Sequence, residues 1–504
     1  MFVNLPKHKK VHILEPSCGD GSFLAALETS LSHNNCEAYI EAVELDPKVG
    51  EDTAVKYPRV NFFNKDFLFW EPKQKFDLVI GNPPYIVRKR LNSSQAEKCK
   101  YIHVTTGLKD REVANIWTSF VIKSAEMLFD NGVLAFVLPT ELLQVNYSKE
   151  IRNYLLKNFA RLEIISFRNL AFEFIEQDTV ILIGYKKHAD EAGLYFSEAS
   201  SIDELNSEEL IFNKQHGDHD IKWSSYIFAE DEISFIKAIS DKLLKVSDLC
   251  SSVAGIVTAA NGYFILSQEE VEKYDLSKYV KHIIQKGMYV NGSAELLTKD
   301  YELLKSSNKP CYILDLNNIP EDSFTERLRA YLQIGEQKNI PERYKCKLRQ
   351  RWFDVPSIWK SEGFFFKRGH HYPKFLVNKA DVHVTDSAYR IKMKDGEDVE
   401  SFAMSFYNSL TLLFSELNGR YYGGGVLEIT PNEFKGLPIP RYKANQGDYK
   451  NFIQEFKKKS SIENFVVSNN NKVFSSVDGI TESDISHIHK LYKKVKNRRL
   501  RRSV

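Results

Sequence analysis

Two prolines placed directly after a short apolar strand constrain this chain more than any other feature. Phe76-Asp77-Leu78-Val79-Ile80-Gly81 is followed at once by Asn82-Pro83-Pro84-Tyr85. A run of Val, Leu and Ile without polar alternation reads as a strand buried on both faces, as in a sheet covered by helices on each side. Neither proline has an N–H to donate, so the ladder cannot continue. Asn82, standing before a proline, is held extended. The strand therefore stops and presents an amide (Asn82), a free carbonyl (Pro83) and an aromatic ring (Tyr85) at its carboxyl end. In open α/β sheets that edge is where ligands bind.

This set of groups suits transfer to a planar amine. The lone pair of an exocyclic amine is delocalised into its ring, which makes the nitrogen a weak nucleophile. The Asn82 side-chain oxygen and the Pro83 carbonyl can accept its two N–H groups and let the nitrogen turn tetrahedral as it attacks. Tyr85 can stack on the ring. Positioning and dipoles then do the work, with no general base before attack. The alternative reading of the same residues is a tight Asn-Pro-Pro turn with a packed tyrosine.

Upstream, Val11-His12-Ile13-Leu14 reads as a strand, and Glu15-Pro16-Ser17-Cys18-Gly19-Asp20-Gly21 as a glycine turn leading into a helix. This is the first half of a βαβ unit. Leu24 stands where a dinucleotide fingerprint has its third glycine, so a smaller nucleoside cofactor is expected. The next strand, Ala38 to Val43, ends in Glu44, an acid about 20 positions after the glycine turn, where ribose hydroxyls are held. Its alternative is a solvated loop carboxylate. After a third strand at Val60 to Phe63, Asp66 can accept from an adenine amino group and Phe67 can stack on the ring. Their alternative is a turn aspartate and a core phenylalanine.

Glu-Pro-Ser-Cys-Gly-Asp-Gly, Val-Glu-Leu-Asp, Lys-Asp-Phe and Asn-Pro-Pro-Tyr, in this order, resemble the S-adenosylmethionine-dependent N6-adenine DNA methyltransferases of the gamma group, which place a specificity region last. The resemblance implies a Rossmann-like, doubly wound α/β catalytic domain and a mixed α/β DNA target-recognition domain. It implies that Glu15, Pro16, Ser17, Gly19 and Gly21 hold the methionine part of the cofactor, Glu44 the ribose, and Asp66 with Phe67 the adenine. It implies that Asn82, Pro83, Pro84 and Tyr85 grip a flipped adenine, with Asn82 also bordering the cofactor. Pro139-Thr140-Glu141 resembles the loop beside the target base. Phe172, with Phe174 as the alternative, matches the aromatic residue that packs on the base's second face. Only about a dozen residues precede the first strand, where members of the family carry a segment that closes the cofactor pocket.

A chain of 504 residues predicts two to four domains at roughly 100–200 residues each. The acidic stretch after residue 188 places the boundary near 235, giving a catalytic domain over 1–235 and a recognition domain over 236–504. Basic and acidic residues nearly cancel, 69 against 67, so any nucleic-acid face must be local. The stretch from Pro341 to Asn378 is such a face, with Arg343, Lys345, Arg349, Arg351, Lys367 and Arg368 interleaved with aromatics. A solvated basic face over an aromatic core is its alternative. The basic C-terminus after Glu482 reads as a helix ending in a phosphate-binding arm or a frayed tail. Six scattered cysteines without a C-x-x-C suggest reduced thiols in a cytoplasm and no zinc site. The expected partner is double-stranded DNA, with a cognate restriction endonuclease encoded separately, no membrane, and a monomer on DNA. A ribosomal RNA base or a protein glutamine amide fits the same cup, and a non-catalytic specificity subunit is the reading from another class.

Overall fold

A computed structural model describes residues 10–109, 113–167, 178–187, 191–200, 205, 210–215, 222–290, 292–422 and 424–500. The chain divides into two compact units, 1–233 and 234–504. Among the described residues no helix is long and apolar enough to cross a membrane.

The first unit is a nine-stranded sheet. Its elements run β1 (Val11–Glu15), α1 (Ser22–His33), β2 (Ala38–Glu44), α2 (Pro47–Lys56), β3 (Asn61–Asn64), β4 (Phe76–Gly81), α3 (Ser93–Thr105), α4 (Trp117–Glu126), β5 (Leu128–Pro139), α5 (Glu141–Gln144), α6 (Lys149–Asn158), β6 (Arg161–Phe167), β7 (Thr179–Tyr185), β8 (Gly193–Ala199) and β9 (Asn213–Gln215). The strand order is β3-β2-β1-β4-β5-β7-β6-β8-β9. Strands β1 to β5 pair in parallel, and β7 enters antiparallel between β5 and β6. Strand order reverses between β1 and β4, where Ile13 lies opposite Leu78 and Leu14 opposite Val79. That reversal leaves a crevice at the carboxyl ends of the two strands. The glycine turn follows one of them and Asn82 the other.

Alternation along the strands sorts the core into two layers. Leu14, Val79, Leu134 and Phe136 belong to one cluster with Trp117, Phe120 and Ile151 of α4 and α6. Ile13, Leu78, Val133 and Ala135 belong to another with Leu24 and Leu27 of α1. Both faces of the central strands are therefore covered, which explains their lack of polar alternation. Each large apolar side chain fully buried here contributes about 1.5–3 kcal/mol. β5 starts at Leu128, and its pairing with β4 shifts register between Phe76 and Leu78.

The second unit is mixed α/β. A five-stranded sheet has the order Cys250–Ala254, Ala388–Met393, Gly363–Phe366, Lys374–Asn378, Glu295–Leu296, and a four-stranded one the order Ile265–Leu266, Tyr312–Leu314, Val280–Ile284, His383–Val384. The stretch from Gly255 to Leu266 contains the short helix Asn261–Phe264. Arg420–Tyr422 and Val426–Glu428 form an antiparallel pair.

The basic C-terminus is neither an arm nor frayed over its described length. Helix Glu482–Leu500 buries Ile488, Leu491, Tyr492 and Val495. Lys496 pairs with Glu463 at 2.6 Å. Arg499 pairs with Glu416 with both side chains 1% exposed. Part of the basic stretch after Pro341 is also internal. Arg351 holds Asp354 through two bonds of 2.8 Å and donates to the Ile319 and Leu316 carbonyls. Arg349 donates to the carbonyls of Thr258 and Trp352. Phe364, Phe365 and Phe366 are core. Arg343, Tyr344, Lys345 and Lys347 remain exposed.

Candidate active site

The crevice is built from four strand ends. After β1, Gly19 and Gly21 take left-handed conformations, with φ of 50° and 81°. A Cβ on Gly21 would lie 2.4 Å from the Tyr57 ring, whereas one on Gly19 would meet nothing within 4 Å. Gly21 is thus required by packing, and Gly19 borders open space. The Thr53 hydroxyl donates to the Gly19 carbonyl at 2.7 Å. Glu44, at the end of β2, accepts from the Gly19 amide and from the Asp46 amide, both at 2.9 Å. Each oxygen keeps a lone pair that can accept from a hydroxyl. Leu45 beside it is 57% exposed, an apolar surface that the sequence reading overlooked.

Glu15, the last residue of β1, is 1% exposed. Its Oε2 is buried and has no hydrogen-bond partner. Burial first, then the nearby carboxyls of Asp20 and Glu44, pushes its pKa up to about 9. An acid left in this state fits a cationic ligand, whose charge would draw the proton off. The Cys18 thiol in the same turn is pushed up to about 12, again chiefly by burial, and stays a neutral thiol.

After β3, Asp66 accepts from the Leu68 amide at 2.9 Å and from the Gln95 side-chain amide at 2.8 Å. Gln95 was not foreseen, although its signal was present. Asn92-Ser93-Ser94-Gln95 is a capping box at the start of α3, which turns Gln95 back toward the preceding chain. Phe67 is a correction. It is 2% exposed, with its ring 4.8 Å from Phe120 and Lys123 Nζ 5.3 Å over it. It is a core residue without an open face for stacking.

After β4, Asn82, Pro84 and Tyr85 are half-buried and Pro83 is buried. The Tyr85 hydroxyl lies 2.7 Å from Asn82 Oδ1 and 3.0 Å from the Val137 carbonyl of β5. Burial raises its pKa well above the usual phenol range, so it remains protonated. The Ser17 hydroxyl donates to the Asn82 carbonyl at 3.1 Å. Pro16 packs near Gly81, where an added Cβ would lie 3.4 Å from Pro16 Cδ. The glycine turn and the Asn-Pro-Pro-Tyr turn are therefore one connected structure. Downstream, the Thr140 amide is fixed to the Asp178 carbonyl at 3.0 Å, and Glu141 accepts from the Tyr147 hydroxyl. Phe172 and Phe174 lie outside the described residues.

The arrangement combines a carboxylate-lined loop suited to a cationic nucleoside with an amide–carbonyl pair suited to an amine. Two family profiles match the chain. The family profile described as Eco57I restriction-modification methylase matches residues 24–172. That described as Type II methyltransferase M.Eco57I, C-terminal domain, matches residues 220–474. Type II methyltransferase M.AccI of Acinetobacter calcoaceticus is 25% identical over 459 residues, covering 85% of this chain and 80% of that protein. Type II methyltransferase M.BstVI of Geobacillus stearothermophilus is 24% identical over 421 residues, 72% of each. Among solved structures, the Type IIL restriction-modification enzyme MmeI in complex with DNA aligns with a TM-score of 0.61 at 13% identity, covering 97% of this chain and 73% of that one. At that identity the likeness concerns the fold.

Proposed function

The chain belongs to the Eco57I-type restriction-modification methyltransferases, and from that premise we propose that it methylates the N6 amino group of an adenine flipped out of double-stranded DNA, using S-adenosylmethionine. The observation that carries this reading is the Asn82 amide at the carboxyl end of β4, bonded through its backbone carbonyl to Ser17 of the glycine turn. It puts an amine grip within one bond of a loop suited to a cationic cofactor.

In this reading Glu15 takes the cofactor's ammonium group, Pro16, Ser17, Gly19 and Gly21 shape the turn around its methionine part, and Glu44 accepts from its ribose. Asp66, oriented by Gln95, accepts from its adenine amino group, and Leu45 covers the ring. When bound, S-adenosylmethionine supplies an electrophilic methyl group. The Asn82 side-chain oxygen and the Pro83 carbonyl accept from the two protons of the target amine and direct its lone pair toward the cofactor loop. Pro84 holds the turn, Tyr85 stacks on one face of the base, and Phe172, with Phe174 as the alternative, covers the other. Extruding the base costs a few kcal/mol, which stacking partly offsets.

The catalytic domain spans 1–235 and the recognition domain 236–504. The protein acts as a cytoplasmic monomer on DNA, beside a cognate restriction endonuclease encoded separately. The test is methyl transfer from labelled S-adenosylmethionine to genomic DNA, total RNA and a protein extract. Label is expected in DNA as N6-methyladenine and is lost with Asn82→Ala, while cofactor binding persists. Label in RNA or protein, or at cytosine, would overturn the reading.

A further inference from the structure

Two strands of the second unit end side by side. Val280–Ile284 and His383–Val384 run parallel, with Ile283 opposite His383 and Ile284 opposite Val384. The residues that follow each strand wall a cleft of about 460 Å³. The Gln285 carbonyl accepts from the Thr385 hydroxyl at 2.8 Å and from the Ser387 hydroxyl at 2.9 Å. The Asp386 amide donates to the Ile256 carbonyl at 3.0 Å. Phe366 packs so closely that a Cβ on Gly287 would lie 2.8 Å from its ring. Backbone groups and two small hydroxyls thus fix both turns.

The longer side chains are left out of that framework. The Gln285 amide, the Lys286 ammonium and the Asp386 carboxylate all border the cleft, and none has a hydrogen-bond or ion-pair partner among the described residues. Lys367 and Arg368 share the cleft, Arg368 pairing with Glu428 at 3.2 Å. A carboxylate on such a surface is repelled by phosphates. It is of use against DNA only where it meets a donor, and in the major groove the donors are the amino groups of cytosine and adenine. A glutamine amide matches the adenine N6 and N7 pair, and a lysine matches the guanine O6 and N7 acceptors. The site combines all three kinds of edge recognition on a rigid scaffold.

We propose that this cleft reads the target sequence, with Asp386 accepting from the exocyclic amine of one base and Gln285 and Lys286 contacting its neighbours. The inference rests on the DNA reading above and adds the residues that set sequence choice. Asp386→Asn keeps the size of the side chain but adds a donor, so it admits guanine or thymine where the native chain requires an amine.

The test is to express the full chain and its variants in a host without adenine methylation and to map N6-methyladenine across the genomic DNA. The native chain is expected to modify one defined site. Asp386→Asn is expected to modify additional sites that differ from it at one position, with discrimination at that position reduced about tenfold or more. Gln285→Ala is expected to relax an adjacent position. An unchanged site in both variants, whatever the overall level of methylation, would overturn the inference while leaving the proposed function intact. Absence of methyladenine with the native chain would overturn both. Thermal unfolding of each variant identifies any that fails to fold, and the remaining variant then decides.

Discussion

The Tyr85 hydroxyl stands between two acceptors, 2.7 Å from Asn82 Oδ1 and 3.0 Å from the Val137 carbonyl, but it has one proton to give. If Val137 takes that proton, the Asn82 amide can turn its NH2 to the phenol oxygen and its own oxygen to the target amine. Under the proposed reaction Tyr85 would then be both a stacking surface and the group that sets the direction of the Asn82 amide. Tyr85→Phe keeps the ring and removes that link. We expect the rate of methyl transfer to fall about tenfold, equivalent to ~1.4 kcal/mol, with cofactor affinity unchanged. Single-turnover kinetics beside cofactor titration would measure it. An unchanged rate would show that the hydroxyl does not orient Asn82.

Glu15 makes stability depend on pH. Its carboxyl has an ordinary value of 4.5 and a folded value of about 9. Between those limits the folded chain holds a proton that the unfolded chain has released. Stability from this group is therefore full below pH 4.5 and declines as pH rises toward 9. Glu15→Gln should remove that decline and gain on the native chain with rising pH. Melting curves between pH 5 and 9 would reveal it as a flatter profile, and parallel profiles would refute it.

The same carboxyl predicts the proton balance of ligand binding. A cofactor ammonium group placed against Glu15 favours the carboxylate, so binding at pH 7.5 should release about one proton. Calorimetry in two buffers of different ionisation enthalpy would count it. Glu15→Gln should abolish the buffer dependence.

Gly21 has no room for a side chain. With φ of 81° and a Cβ position 2.4 Å from Tyr57, Gly21→Ala should cost about 1–3 kcal/mol from backbone strain alone. Denaturant titration is the measurement. Gly19→Ala shares the backbone strain but meets no neighbour, so it should cost less stability than Gly21→Ala.

The pair between Glu416 and Arg499 should behave as a buried charge pair. Glu416→Ala leaves a buried guanidinium unpaired and should cost about 3–5 kcal/mol. Replacing both residues by methionine should recover most of that loss. Chemical denaturation of the single and double variants would test it, and equal losses in both would count against the argument.

The sequence made the central crevice legible because its signals are local. An apolar run, two prolines and a glycine turn act through backbone geometry within a few residues, and β4 ends at Gly81 as those signals indicate, while β1 runs one residue further than indicated, to Glu15. Phe67 and Arg351 were harder because their fates depend on distant partners. Phe67 is covered by Phe120 of α4, and Arg351 finds carbonyls at Leu316 and Ile319. Nothing beside either residue distinguishes a ring or guanidinium facing inward from one facing a ligand. Gln95 lay between these cases, since its capping box was local but its bond to Asp66 crosses 29 positions.

The bond from Ser17 to the Asn82 carbonyl ties the two halves of the crevice to one another. Any coupling free energy between ligands held by the two turns is reciprocal. A factor by which one ligand strengthens the hold on the other must be returned unchanged in the opposite direction. Under the proposed reaction, a chain holding the methyl donor and one holding the spent donor would then bind the same base with different strength.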